Sequence, residues 1–118
     1  MTYTIFKENK YHNKKCEYKG MKFDSIKERN WYINLENMQK LGKITELKRQ
    51  VEFVLIETFK LEDKTYRKTK YIADFTYKDQ FGKYHVVDVK SEATRRDKVY
   101  QLKKKLMAWK YGIEIEEV

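Results

Sequence analysis

Apolar side chains recur with two different periods along this chain, and the changes of period mark its elements. Glu28, Trp31, Tyr32 and Leu35 stand at i, i+3, i+4 and i+7, which predicts a helix to about Leu41 with these four on one face. Asp24 or Ser25 is a good N-cap, and Gly42 stops the helix. Ile44 to Gln50 reads as a connector. From Gln50 to Lys60 the period drops to two, with Val51, Phe53, Leu55 and Phe59 on one side and Val54 and Ile56 on the other. Apolar residues on both faces predict a central, doubly covered strand. Glu57 reads as an edge charge rather than a ligand. Leu61–Lys70 is polar and basic and reads as a hairpin turn projecting from the sheet. Tyr71–Tyr77 and Tyr84–Lys90 are aromatic and β-branched runs flanking the Asp- and Gly-containing turn 78–83, a β-hairpin. Thr94 is placed to cap a second helix to about Lys110, with Val99, Leu102, Leu106 and Trp109 as its core face and Gly112 beyond its end. Ile113 and Ile115 alternate with Glu114 and Glu116, giving a short last strand. Residues 1–22 lack periodicity and read as a basic N-terminal arm; 23–118 read as a single domain. The order helix, three strands, helix, strand predicts an α/β (α+β) chain, a mixed sheet flanked by two helices.

Charge sits where this pattern does not want it. Asp is depleted in strands, yet Asp74 lies in the middle of the first hairpin strand and Asp88 near the end of the second. Residues two apart share a strand face, so Asp88 and Lys90 point together. If the faces match across the hairpin, two carboxylates and one ammonium converge at one end of the sheet. Two such acids need a cation between them. Lys90 supplies part of that charge, and a divalent ion such as Mg²⁺, which takes oxygen ligands, would supply it better. The plain alternative is a cross-strand ion pair of Asp74 and Lys90. Glu28 raises the same choice on its helix. Ser25-Ile26-Lys27-Glu28 fits the S-x-x-E capping box, but a carboxylate on the apolar stripe could equally face the acidic end of the hairpin.

Composition narrows the partners. The net charge is +9, concentrated in residues 1–22, 58–70 and 94–110. Localised basic patches predict a polyanion, with nucleic acid first, and ten Tyr, six Phe and two Trp offer stacking surfaces. Arg95, Arg96 and Lys98 fall in the first turns of the second helix, where main-chain amides already favour phosphate. Lys103, Lys104 and Lys105 read as a solvated face. No apolar run reaches the length of a membrane span, and the start MTYTIFKENK has no signal-peptide core, so a cytoplasmic location is expected. The single cysteine, Cys16, excludes an internal disulfide and reads as inert, since only His12 and His85 could serve it as a base. His12-Asn13 has no second cluster with which to form a His/Asn nuclease site. With no Gly-rich phosphate loop, NTPase activity is not expected.

The order and the motif together resemble the PD-(D/E)xK nuclease superfamily. Asp74 in Ala73-Asp74-Phe75 resembles its first motif and Asp88-Val89-Lys90 its (D/E)xK motif, with Ala73 in place of the proline and Asp88 where Glu is commoner. Glu28 resembles the extra glutamate of many members, Holliday junction resolvases included. Phe23-Asp24-Ser25, Gln50 and Tyr111-Gly112-Ile113 resemble a small phage- and prophage-encoded family within it. The resemblance spans about residues 20–118.

The resemblance implies a restriction-endonuclease-like core in a bacterial cell. It implies a metal-dependent DNA endonuclease, structure-selective on branched duplex. Asp74, Asp88 and Glu28, with the backbone carbonyl of Val89, would hold Mg²⁺ or Mn²⁺, and Lys90 would complete the catalytic set. Arg95, Arg96, Lys98, Lys70 and Lys68 would contact DNA, and symmetric cutting would need a homodimer. The alternative is a non-catalytic DNA-binding accessory of phage recombination or replication, with the acidic cluster structural. An RNA-binding protein using its aromatics is a third reading.

Overall fold

The computed structural model describes residues 14–118. His12, Asn13 and most of the expected arm lie outside them. The described end of that arm is a hairpin, β1 (Cys16–Tyr18) and β2 (Met21–Phe23), turning on Lys19 and Gly20 at φ 52° and 80°. Two positive φ values suit the twist of a two-residue hairpin loop. Lys-Gly is a weaker signal for it than Asn-Gly, so the sequence pattern did not reveal it. Phe23, Cys16, Tyr18 and Met21 pack into the core, so the domain boundary at residue 22 cuts through a packed hairpin.

Helix α1 (Ile26–Lys40) forms where expected. The Ser25 hydroxyl accepts from the Glu28 N–H at 3.0 Å, and Gly42 takes the left-handed conformation (φ 77°) just past the C-cap, Leu41. Strand β3 (Ile44–Ile56) begins inside the predicted connector. A bulge between Thr45 and Lys48, with Glu46 at φ 56°, breaks the alternation and hid the strand from a period-two reading.

The main sheet has the order β3-β6-β7-β8, with β6 (Thr69–Asp79), β7 (Tyr84–Asp88) and β8 (Glu116–Glu117). Pairing is antiparallel except for β7 with β8, which is parallel, so the fold is α+β with a mixed sheet. This corrects one expectation: β3 is an edge strand, and the inner strands are β6 and β7. The apolar residues on the second face of β3 do not lie under another layer, and Ile56 is 43% exposed. The open edge is blunted by the helix that precedes β8, whose Lys110 Nζ and Tyr111 hydroxyl both donate to the Val54 carbonyl. Between β3 and β6 the chain leaves the sheet as a separate ribbon, β4 (Phe59–Leu61) and β5 (Lys64–Tyr66), exposed throughout, with Phe59 stacked on Tyr66.

The second helix is two. Helix α2 (Glu92–Arg95) is capped by Ser91 in a reciprocal box with Thr94, and α3 (Lys98–Tyr111) by Asp97, whose carboxylate accepts from the Tyr100 N–H. Thr94 is therefore not the N-cap. The core face of α3 is also corrected. It is Tyr100 and Met107 with Leu106 packed beside them as expected, while Val99, Leu102 and Trp109 stay 56–78% exposed. The final strand falls at Glu116–Glu117, one step beyond the Ile113/Ile115 alternation, and Ile115 is buried just before it.

Helices cover both sides of the sheet. Leu35 of α1 packs with Phe23, Ile44, Phe75 and Val87; Tyr100 and Met107 of α3 pack with Tyr71, Ala73, Val86 and Leu55. Val86 and Val87 are successive on β7 and so point to opposite faces, one into each cluster. Among the described residues no helix is long and apolar enough to cross a membrane.

Candidate active site

The cleft forms where β6 and β7 diverge beneath the N-terminus of α1. Phe75 pairs with Val87; one step further along, the register sets Asp74 opposite Asp88, just where the ladder ends. With no ladder partner for its amide there, Val89 donates its N–H to Asp74 Oδ2 at 2.8 Å. Asp74 thus replaces a rung of the sheet, which accounts for an Asp in mid-strand. Asp88 is 2% exposed, accepts from the Tyr71 hydroxyl at 2.7 Å and forms an ion pair with Lys90 Nζ at 3.2 Å. The main chain on both sides of Val89 is tied to the last residue: Val118 N–H donates to Asp88 O and Lys90 N–H to Val118 O.

Glu28 reaches the same cleft. The half of the capping box that needs the Ser25 hydroxyl is present, while the Glu28 carboxylate turns inward, 4% exposed, to within 3.4 Å of Gln50 Nε2 and 3.9 Å of Arg49. Gln50 stands 3.5 Å from Asp74 Oδ1 with the same amide nitrogen, so it bridges Glu28 and Asp74. Its φ of 52° is a left-handed conformation that a non-glycine residue rarely adopts. Strain of this kind persists where surrounding structure imposes it, often at functional sites.

The electrostatics follow from four acids, Asp24, Glu28, Asp74 and Asp88, lining one cleft of about 390 Å³. Burial, the hydrogen bond with Asp88 and the charges of Asp88 and Glu28 push the Asp74 carboxyl up to about 8, against the opposing Val89 amide. Burial and the charge of Asp24 likewise raise Glu28, with Arg49 pulling the other way. Tyr71 is pushed upward by burial and by the charge of Asp88, which keeps it a hydrogen-bond donor. Lys27 and Lys90 are the cations lining the cleft, and Lys90 is shared: its Nζ lies 4.3 Å from the centre of the Tyr100 ring.

All four expected catalytic residues, Glu28, Asp74, Asp88 and Lys90, therefore line one cleft, as does Val89. The expected DNA contacts divide. Lys70 lines an adjoining depression of about 350 Å³ with Ile72, Lys90 and Lys103. Lys68 and Lys70 both pair with Glu52, at 3.1 and 3.2 Å, which offsets part of their charge. Arg95, Arg96 and Lys98 lie on α2, at its C-cap and at the start of α3, outside both depressions. Cys16 is half-buried beside Ser25, Glu57 is exposed past the end of β3, and His85 is held by Asp79 and Glu116. None of these joins the cleft.

Three contributors escaped sequence reasoning as parts of the site. Arg49, Tyr71 and Tyr100 act from β3, β6 and α3, and nothing in their local pattern separates them from core or surface residues. Among the described residues no three His, Cys, Asp or Glu side chains stand close enough to hold an ion unaided. The donor set nevertheless fits a hard divalent cation. It is all oxygen, Asp74 and Glu28 are raised by burial and by neighbouring carboxylates, and Mg²⁺ is commonly held by one or two carboxylates with water and phosphate completing its shell.

Residues 8–116 match the family described as Protein of unknown function (DUF1064), and the chain belongs to that family. No curated protein and no solved structure matches it.

Proposed function

We propose that this DUF1064 member is a metal-dependent endodeoxyribonuclease that hydrolyses phosphodiester bonds in branched DNA. One observation carries the reading: Glu28, Asp74 and Asp88, from three separate elements, meet in one cleft with too little positive charge, and Lys90 stands at its side. A structural ion pair needs no third acid, and a cavity without a cationic ligand would gain by replacing one of them.

Asp74, Asp88, Glu28 and the Val89 carbonyl would hold Mg²⁺ or Mn²⁺. When bound, the ion polarises the phosphate and lowers the pKa of a bound water. The chain's own residues do the rest. Tyr71 and the Val118 main chain hold Asp88 in place, and Gln50 and the Val89 amide hold Asp74. Lys90, steadied against the Tyr100 ring, puts a positive charge beside the reacting phosphate, where negative charge grows in the transition state. Lys70 extends the positive surface from the cleft along the path of the strand. A site of this kind cuts one strand, so paired cuts require a homodimer.

Cleavage of a labelled four-way junction, beside linear duplex and single strand, with Mg²⁺, Mn²⁺ or EDTA, tests this. Metal-dependent cuts near the branch, absent in Asp88→Ala, are expected. Cuts on linear DNA alone would keep the chemistry and discard the branched substrate. Among the described residues no three-ligand cage stands ready-made, which favours one other reading, a DNA-binding accessory protein. Salt-sensitive binding to all three DNAs with no cut under any metal would select it.

A further inference from the structure

Val99, Leu102, Leu106 and Trp109 have the spacing of a buried helix face, yet the core of α3 is Tyr100 and Met107. Three of the four lie instead on the outer side of the helix, where Val99 is 61% exposed, Leu102 56% and Trp109 78%, while Leu106, at the inner margin of the stripe, is half-buried and packs against the core. A tryptophan so exposed is unusual, and a contiguous apolar stripe of this kind marks a contact surface. Its spacing of three, four and three residues is that of a coiled-coil seam, with the apolar residues at alternating a and d positions. The e and g positions beside that seam are Lys98, Lys103, Lys105 and Lys110, lysine without exception. Lys104, between them, turns inward to Glu117 at 3.2 Å and takes no part in the outer face.

We propose that the outer face of α3 is a docking surface for an acidic amphipathic helix of another protein. Charges at e and g select the partner of a helical seam. A second copy of α3 would set lysine against lysine along both flanks, so self-pairing is disfavoured. Carboxylates at the partner's e and g positions complement all four. A phosphate backbone would satisfy the lysines but leave Leu102 and Trp109 facing charged groups. Val99 and Lys103 also line the depression beside Lys90, so the docked helix begins next to the carboxylate cleft without entering it. The proposal does not depend on what that cleft does.

The test uses the full chain and a fluorescently labelled helical peptide about three heptads long, with Leu at a and d and Glu at e and g. Saturable binding, read by anisotropy, is expected to weaken at least about tenfold in Leu102→Glu and in Trp109→Ala. Both residues are exposed, so thermal unfolding should match the parent and separate lost binding from lost fold. A peptide with Lys at e and g should bind poorly to the parent but well to Lys103→Glu/Lys110→Glu, which should in turn reject the Glu peptide. Equal binding of the two peptides would overturn the proposal. So would Trp109-dependent self-association in sedimentation, or preferential binding of phosphatidylserine vesicles or duplex DNA through this face.

Discussion

Asp74 carries the clearest consequence at the scale of single residues. Its carboxyl is raised from an ordinary 3.8 to about 8, and that of Glu28 is raised with it. For an acid whose folded value is raised, the contribution to stability is complete below the unfolded value and is lost as pH climbs towards the folded one. The metal-free protein should therefore lose stability from these two groups between about pH 4 and pH 8. Asp74→Asn should remove most of that loss and raise stability at pH 8 by at least about 1 kcal/mol, read from urea unfolding at pH 5 and pH 8. Added Mg²⁺ should raise the melting temperature of the parent more at pH 8 than at pH 5, because binding must displace the proton, and should do little for Asp74→Asn. Lys90→Ala should lower cleavage about 10²–10³-fold while leaving DNA affinity within a few-fold. Much of the residue scale was legible beforehand. Glu28, Asp74, Asp88 and Lys90 are recognisable because each breaks the pattern around it. Tyr71 and Tyr100 were not, because a tyrosine in a strand or on a helix face conforms to the pattern whether or not its hydroxyl or ring serves a site.

Elements obey local rules where caps are strong. Ser25, Asp97 and Gly42 each do what their types predict, and Asp97→Ala should cost about 1 kcal/mol in urea unfolding by uncapping α3 at the turn that presents Tyr100 to Lys90. The break between α2 and α3 was hidden because Arg96 and Asp97 are compatible with a continuing helix, and a second cap shows its role only when the chain turns. β3 was read short for the opposite reason. A bulge inserts one extra residue into the alternation, so the stretch before it looked aperiodic.

For the whole molecule the uneven charge matters most. With a net charge of +9, the proposed DNA binding should fall steeply with salt, by a slope of about −0.9 per phosphate neutralised. Lys68 and Lys70 are held back by Glu52, so Glu52→Gln should tighten duplex binding severalfold at low salt, with the gain vanishing at high salt; fluorescence titration at two salt concentrations checks it. Layer order was partly visible in the chain. The succession helix, three strands, helix, strand does build the sheet, but which strand is central was not readable from hydrophobicity. An edge strand with both faces apolar looks the same in sequence as a central one.

From the linear chain alone come the helices, the β6–β7 hairpin, the projecting ribbon and the four residues whose charge contradicts their setting. These depend on neighbours within a few positions, where propensity, period and capping act. Tertiary structure alone decided that Asp74 stands in for a missing rung opposite Asp88, and that Glu28 turns away from its own helix end. It also decided that Gln50 joins them from a strained backbone and that Val99, Leu102 and Trp109 of α3 face outward. Each of these rests on the register of one strand against another or the roll of a helix on the sheet. Those are set by the packing of distant residues such as Tyr71, Tyr100 and Met107, which no local pattern encodes.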